Sequence, residues 1–155
     1  MLATMRNTQT LDRTTAGAIV LLTRLARSVY RHVDEDALGM KYKEYVMLSV
    51  IGEFEGTTQS QLGKVMGIDA NMVVLLLNAL EEHDFAVRER DREDRRRHIV
   101  KITPAGRKAV VRAERALEAV TDDALGGLDA EERAQLRTLL AKALGDGQFA
   151  ASVTE

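Results

Sequence analysis

The 155-residue chain has no cysteine and no tryptophan, one proline, three phenylalanines and three tyrosines. Each shortage excludes something. Without thiols there is no disulfide, thiolate metal site or cysteine redox switch, which fits a cytoplasmic protein. The one proline, Pro104, leaves long helices unbroken elsewhere. With aromatics at 4%, the core must come from Leu, Val, Ile, Ala and Met. No apolar run nears the roughly 20 residues needed to span a bilayer. The first stretch, MLATMRNTQTLDR, lacks the apolar segment of a signal peptide, so no membrane partner is expected.

What is present suits a globular protein, at 45% hydrophobic and 30% charged residues. The length fits one domain, or a small domain plus dimerisation helices. The net charge of −2 makes no overall case for a polyanion partner, but its distribution does. Residues 88–108 hold nine Lys/Arg against four acids, and residues 114–155 hold nine acids against four Lys/Arg. A basic tip on an acidic body suits a protein that turns one face to nucleic acid.

Along the chain, residues 1–10 carry no periodicity and read as a flexible arm. Residues 11–33 read as a long helix with Ile19, Leu22, Leu25, Val29 and Val33 on one stripe. Gly39 breaks it, and a second helix is expected over 41–54, with Tyr45, Leu48 and Ile51 inward. Thr58-Gln59-Ser60-Gln61 is a capping box that starts a short helix with Leu62, Val65 and Met66 inward and Gly67 at its end. Asp69 caps the next helix, which runs to about residue 83. Two helices joined by so short a turn are a helix-turn-helix or an ordinary helical hairpin, and spacing alone leaves both open.

Two strands follow, 85–89 and 98–103, the second with Val100 and Ile102 on one face and Ile99 and Lys101 on the other. Between them lies the densest charge in the chain, RERDREDRRR over 88–97. Such a run is either a solvated tip or a contact with phosphates. An acid inside an Arg-rich loop makes sense if Asp94 orients a guanidinium through a bidentate pair. Arg92, Arg95 and Arg97 are then the phosphate contacts, and Arg88 pairs with an acid of the loop. Thr103-Pro104 opens a helix over 104–125. Asp129 caps a last one, with Glu132 three residues on completing a capping box and Leu136, Leu139, Leu140 and Leu144 on its apolar face. Residues 146–155 read as a tail. The apolar stripes of the terminal helices exceed what the small central unit can bury, which predicts a two-fold dimer. The fold class is mainly α with a small β-wing.

At Gly67-Ile68-Asp69, Phe85-Ala86-Val87-Arg88, Asp91 through Arg97 and Ile102-Thr103-Pro104-Ala105-Gly106, the chain resembles the MarR family of bacterial transcription regulators. The resemblance follows the element order over nearly the whole chain, with residue matches concentrated in 58–106. It implies a winged helix-turn-helix (37–103) flanked by an N-terminal dimerisation helix (11–36) and C-terminal dimerisation helices (104–145). It implies a homodimer that represses transcription from a pseudo-palindromic operator in double-stranded DNA, responding to a small phenolic or anionic effector. Arg96, held by Asp94, would enter the minor groove, and the helix after Asp69 would enter the major groove.

On that helix the outward residues are Ala70, Asn71, Val74, Leu75 and Asn78. Many family members carry Thr, Ser or Arg where this chain has Val74 and Leu75. Only the two asparagines can hydrogen-bond bases, so wing, phosphates and DNA shape are expected to dominate. Ser60, Gln61, Lys64, Lys41 and Lys43 are further phosphate candidates. Tyr30, His32 and Tyr45 fall where the family's ligand pocket forms, and each also suits ordinary packing. His32 with Asp34, Glu35 and Asp36 is either an ion-responsive cluster or a solvated helix end. No catalytic constellation, metal site or cofactor motif is found. The apolar Val74 and Leu75 keep open a second reading, a winged-helix module for protein contacts. A third is an enzyme that uses the winged helix only to dimerise.

Overall fold

The computed structural model describes residues 15–54 and 56–145. The expected arm at 1–10, the first residues of the expected 11–33 helix and the tail at 146–155 lie outside them. The elements are α1 (Thr15–His32), α2 (Glu35–Leu38), α3 (Tyr42–Glu53), α4 (Gln59–Met66), α5 (Ala70–Glu82), β1 (Ala86–Arg90), β2 (His98–Ile102), α6 (Pro104–Ala124) and α7 (Ala130–Leu144). The mainly helical class with one small antiparallel sheet is as expected.

The core forms where α3, α4, α5, α6 and β2 meet. Val73, Leu76, Leu77 and Leu80 recur at three- and four-residue steps along α5, and all four are buried. They pack with Met47, Leu48 and Ile51 of α3, Leu62 of α4, Val100 of β2 and Ala109 and Ala113 of α6. Each large aliphatic side chain so buried contributes about 1.5–3 kcal/mol. Two expected inner positions differ. Val65 is exposed, because α4 offers the core a stripe only wide enough for Leu62 and, in part, Met66. Tyr45 is only half-buried, and Met47 takes the deep position on α3.

The short α2 was not expected, since four residues cannot show a periodic stripe. Local capping makes it. Asp34 Oδ1 accepts hydrogen bonds from the Asp36 and Ala37 amides at 3.0 and 3.3 Å, and Glu35 Oε1 accepts from the Tyr42 amide at 3.0 Å. Two of the three acids beside His32 thus spend their oxygens on the backbone, which supports the helix-end reading over an ion cluster.

β1 and β2 pair antiparallel from Ala86↔Ile102 to Arg90↔His98. A third backbone joins them: Thr57 bridges to Val100, whose amide donates to the Thr57 carbonyl at 2.7 Å. This bridge fixes the hairpin to the start of α4. Thr103 caps α6 by accepting from the Gly106 amide at 3.0 Å, and Thr103 Oγ1 also donates to the Asp84 carbonyl at 2.6 Å. α7 begins with the expected Asp129–Glu132 capping box, yet none of its residues is buried. Leu139 and Leu144 on α7 and Ile19 through Leu22 on α1 face solvent in the single chain.

Candidate nucleic-acid interface

The helix-turn-helix is built by three local devices. Thr58 accepts from the Gln61 amide, and Gln61 Oε1 in turn accepts from the Thr58 amide at 2.7 Å. Gly67 ends α4 at a φ of 62°, a backbone that glycine adopts without steric cost. Asp69 Oδ1 caps α5 by accepting from the Met72 amide at 2.9 Å. The bend from α4 to α5 is 110°. That angle belongs to a helix-turn-helix, whereas helices in a bundle pack nearly antiparallel. Gly63 permits the close crossing, since a Cβ there would lie 3.2 Å from the Ile68 carbonyl oxygen. With its inner face in the core, α5 turns Ala70, Asn71, Val74, Leu75 and Asn78 outward, and all five are exposed.

The wing is ordered by its acids acting on backbone. Asp91 Oδ1 accepts from the Glu93 amide at 2.9 Å, and Asp94 Oδ1 accepts from the Arg96 amide at 3.0 Å. The Asp91 amide donates to the Arg97 carbonyl and the Arg97 amide to the Asp94 carbonyl, each at 2.9 Å. The bidentate pair of Asp94 with a guanidinium does not form. An aspartate two residues before an amide is in Asx-turn geometry, and the amide is reached before any long side chain folds back. Arg97 Nε lies 3.6 Å from Asp91 Oδ2, so Arg97 is partly engaged inside the loop. Arg92, Arg95 and Arg96 are exposed, and no ion pair holds them among the described residues.

Arg88 also differs from expectation. Its partner is not a wing acid but Glu81 on α5: Nε and Nη2 donate to Oε1 and Oε2 at 3.0 and 2.5 Å. The Arg88 amide donates to the same carboxylate at 3.0 Å. This hydrogen bonding holds the Glu81 carboxyl below its ordinary range and pushes the Arg88 guanidinium up. Sequence spacing gave no sign of Glu81, because the pair meets only after the chain reverses at Asp84. The wing acid Glu89 pairs instead with Lys101, at 2.9 Å across the hairpin. Of the other phosphate candidates, Ser60, Lys64, Lys41 and Lys43 are exposed, while the Gln61 carbonyl oxygen is committed to the cap.

Known proteins share this arrangement. The MarR family model matches residues 38–97, the stretch from the end of α2 to the wing. Over that stretch the chain is similar to the MarR family. A Thauera aromatica protein named as a transcriptional regulatory protein for the hcr operon is 38% identical over 96 residues. That match covers 62% of this chain and 58% of the relative, so the chain spans less than two thirds of that relative's length. Apo MarR from E. coli superposes with a TM-score of 0.67 at 21% identity, covering 83% of this chain and 95% of that one. A mutant MarR from E. coli in complex with operator DNA gives a TM-score of 0.60 at 20% identity, covering 83% and 91%. These two likenesses establish the winged-helix fold.

A cleft of about 580 Å³ lies between α1, α2, α3 and α5. Tyr30, Val33, Tyr42, Met72, Leu75 and Ala79 supply apolar wall, and Lys41, Lys43, Glu35 and Glu44 supply charge. Of the three expected pocket residues only Tyr30 lines it. Tyr45 lies behind Tyr42, with ring centroids 6.0 Å apart. His32 is exposed at the end of α1, with Nδ1 donating to the Ser28 carbonyl at 2.6 Å. Tyr42, missed from the sequence, stands edge-on to Tyr30 at 4.8 Å. Burial is the main cause that pushes the Tyr42 phenol up, so it remains a neutral hydrogen-bond donor at ordinary pH.

Proposed function

We propose that this chain is a cytoplasmic, ligand-responsive transcription repressor that binds a pseudo-palindromic operator as a homodimer. Residues 11–36 and 104–145 form the dimer interface, and residues 37–103 bind DNA. The observation that carries the reading is the wing: Arg92, Arg95 and Arg96 free of ion pairs among the described residues, on a loop stiffened by Asp91 and Asp94, beside a helix-turn-helix with an exposed outer face. Arg96 enters the minor groove, where a narrow groove concentrates negative potential. Arg92, Arg95 and, once released from Asp91, Arg97 contact phosphates with Ser60 and Lys64. α5 enters the major groove, where Val74 and Leu75 meet thymine methyls and the asparagines meet base edges. Lys41 and Lys43 either reach phosphates or hold an anion at the mouth of the cleft.

A small phenolic or anionic effector binds in the cleft. Because Leu75 and Met72 belong both to its wall and to α5, a ligand there bears directly on the helix that enters DNA. The rival reading, a protein-interaction module, is favoured only by the exposed Val74 and Leu75. One experiment separates the two. Purified protein is mixed with sheared genomic duplex, and bound fragments are sequenced. Recurrent short sites with two-fold symmetry are expected; fragments indistinguishable from input would overturn the DNA-binding reading in favour of the module.

A further inference from the structure

The guanidinium that holds Glu81 makes one more bond. Arg88 Nη2 donates to Asn78 Oδ1 at 2.5 Å. Its two hydrogens thus go to Glu81 on one side and to Asn78 on the other. Arginine has donors only, so the amide must turn its oxygen to Arg88 and leave its nitrogen for whatever lies outside. A charged donor at such a distance also polarises the amide and strengthens its N–H groups as donors.

Asn78 is exposed on the outer face of α5, one turn beyond Val74. An unrestrained asparagine recognises adenine in the major groove by donating to N7 and accepting from N6. With Oδ1 turned to Arg88 and the amide nitrogen turned outward, the oxygen is not presented to the base, although it keeps a second lone pair. We propose that the Glu81–Arg88–Asn78 chain makes Asn78 a donor-only reader, so that this position of the operator prefers guanine to adenine. Guanine offers two acceptors, N7 and O6, to the two amide hydrogens, whereas adenine sets its N6 hydrogens against them. Arg88 is a positioning residue here: it acts on the base through Asn78, and Glu81 holds it in place. The inference rests on the DNA-binding reading above.

The test is selection from a random duplex library with four proteins: the natural chain, Asn78→Ala, Arg88→Met and Glu81→Gln. The base pair whose preference Asn78→Ala flattens is the one Asn78 reads. There the natural chain should enrich guanine over adenine by roughly 2- to 10-fold, the worth of one hydrogen bond. Arg88→Met should move the preference toward adenine by a similar factor and leave other positions unchanged. Glu81→Gln should move it the same way by less, and it serves if Arg88→Met does not fold. Two results overturn the inference while leaving DNA binding intact: no position flattened by Asn78→Ala, or the same guanine preference with and without the Glu81–Arg88 clamp. A natural chain that enriches no sequence at all instead overturns the DNA-binding reading itself.

Discussion

Gly106 shows how much one missing methyl can matter. A Cβ at this position would lie 2.1 Å from the Phe85 carbonyl oxygen and 2.8 Å from Ile102 Cγ1. The nearest neighbour is backbone, held in place because it accepts the Thr103 amide at 3.0 Å. Gly106→Ala should therefore destabilise the fold by about 1–3 kcal/mol, toward the upper end, since backbone yields less than a side chain. Urea melts of the two proteins check this; equal midpoints would contradict it. The Thr103-x-x-Gly106 pattern was visible in the sequence. Its reason was not, because the contact lies with Phe85, just before β1 and far back along the chain. Glu81 and Arg88 offer a second residue-scale prediction. The folded state holds the Glu81 carboxyl below its usual value near 4.5. Its stabilising contribution is then present above that pH and lost as pH falls below it. Stability measured between pH 3 and 7 should fall less steeply on the acid side for Glu81→Gln than for the natural chain. Parallel curves would contradict the assignment.

At the scale of the element, what could be read in advance was what neighbouring residues decide among themselves. Capping boxes at Thr58–Gln61 and Asp129–Glu132, caps at Asp69 and Thr103, and the glycine after Met66 all act within four residues, and all form as spaced. The inner face of α5 was legible for the same reason. The wing was legible as a hairpin with an Arg-rich tip, but its internal wiring was not. Asp94 reaches a backbone amide instead of a guanidinium, and Arg88 reaches back to a helix instead of forward to the loop. Partners of long flexible side chains depend on where other elements end up, and spacing does not say. Asp69→Ala removes the cap of α5, the helix proposed to enter DNA. It should cost about 0.5–2 kcal/mol and fray the first turn of α5, where Ala70 and Asn71 stand. Amide exchange of that turn checks it; unchanged protection would show that packing alone holds the helix start.

The whole molecule is a small core with two unfinished edges. The core at 38–113 is closed by α3, α5, α6 and the hairpin, while α7 has no fully buried residue and α1 leaves Ile19 through Leu22 exposed. Apolar faces of this extent are covered when two copies associate. The natural chain should scatter light as a species of twice 17.2 kDa at micromolar concentration, and Leu139→Glu with Leu144→Glu should return it to a monomer. A natural chain that is already monomeric would contradict the dimer. Two-fold symmetry would also place two wings on one stretch of DNA, where they would carry much of the affinity. Measuring affinity for an enriched operator fragment across salt concentrations tests it most directly, comparing the natural chain with Arg92→Ala/Arg95→Ala/Arg96→Ala. Each neutralised phosphate contributes about 0.9 to the slope of log affinity against log salt, so losing the Arg92 and Arg95 contacts from each of two wings should lower it by up to about 3.6, and losing Arg96 from the minor groove should add to a large loss of affinity. An unchanged slope and affinity in a variant that melts like the natural chain would remove the wing from the account.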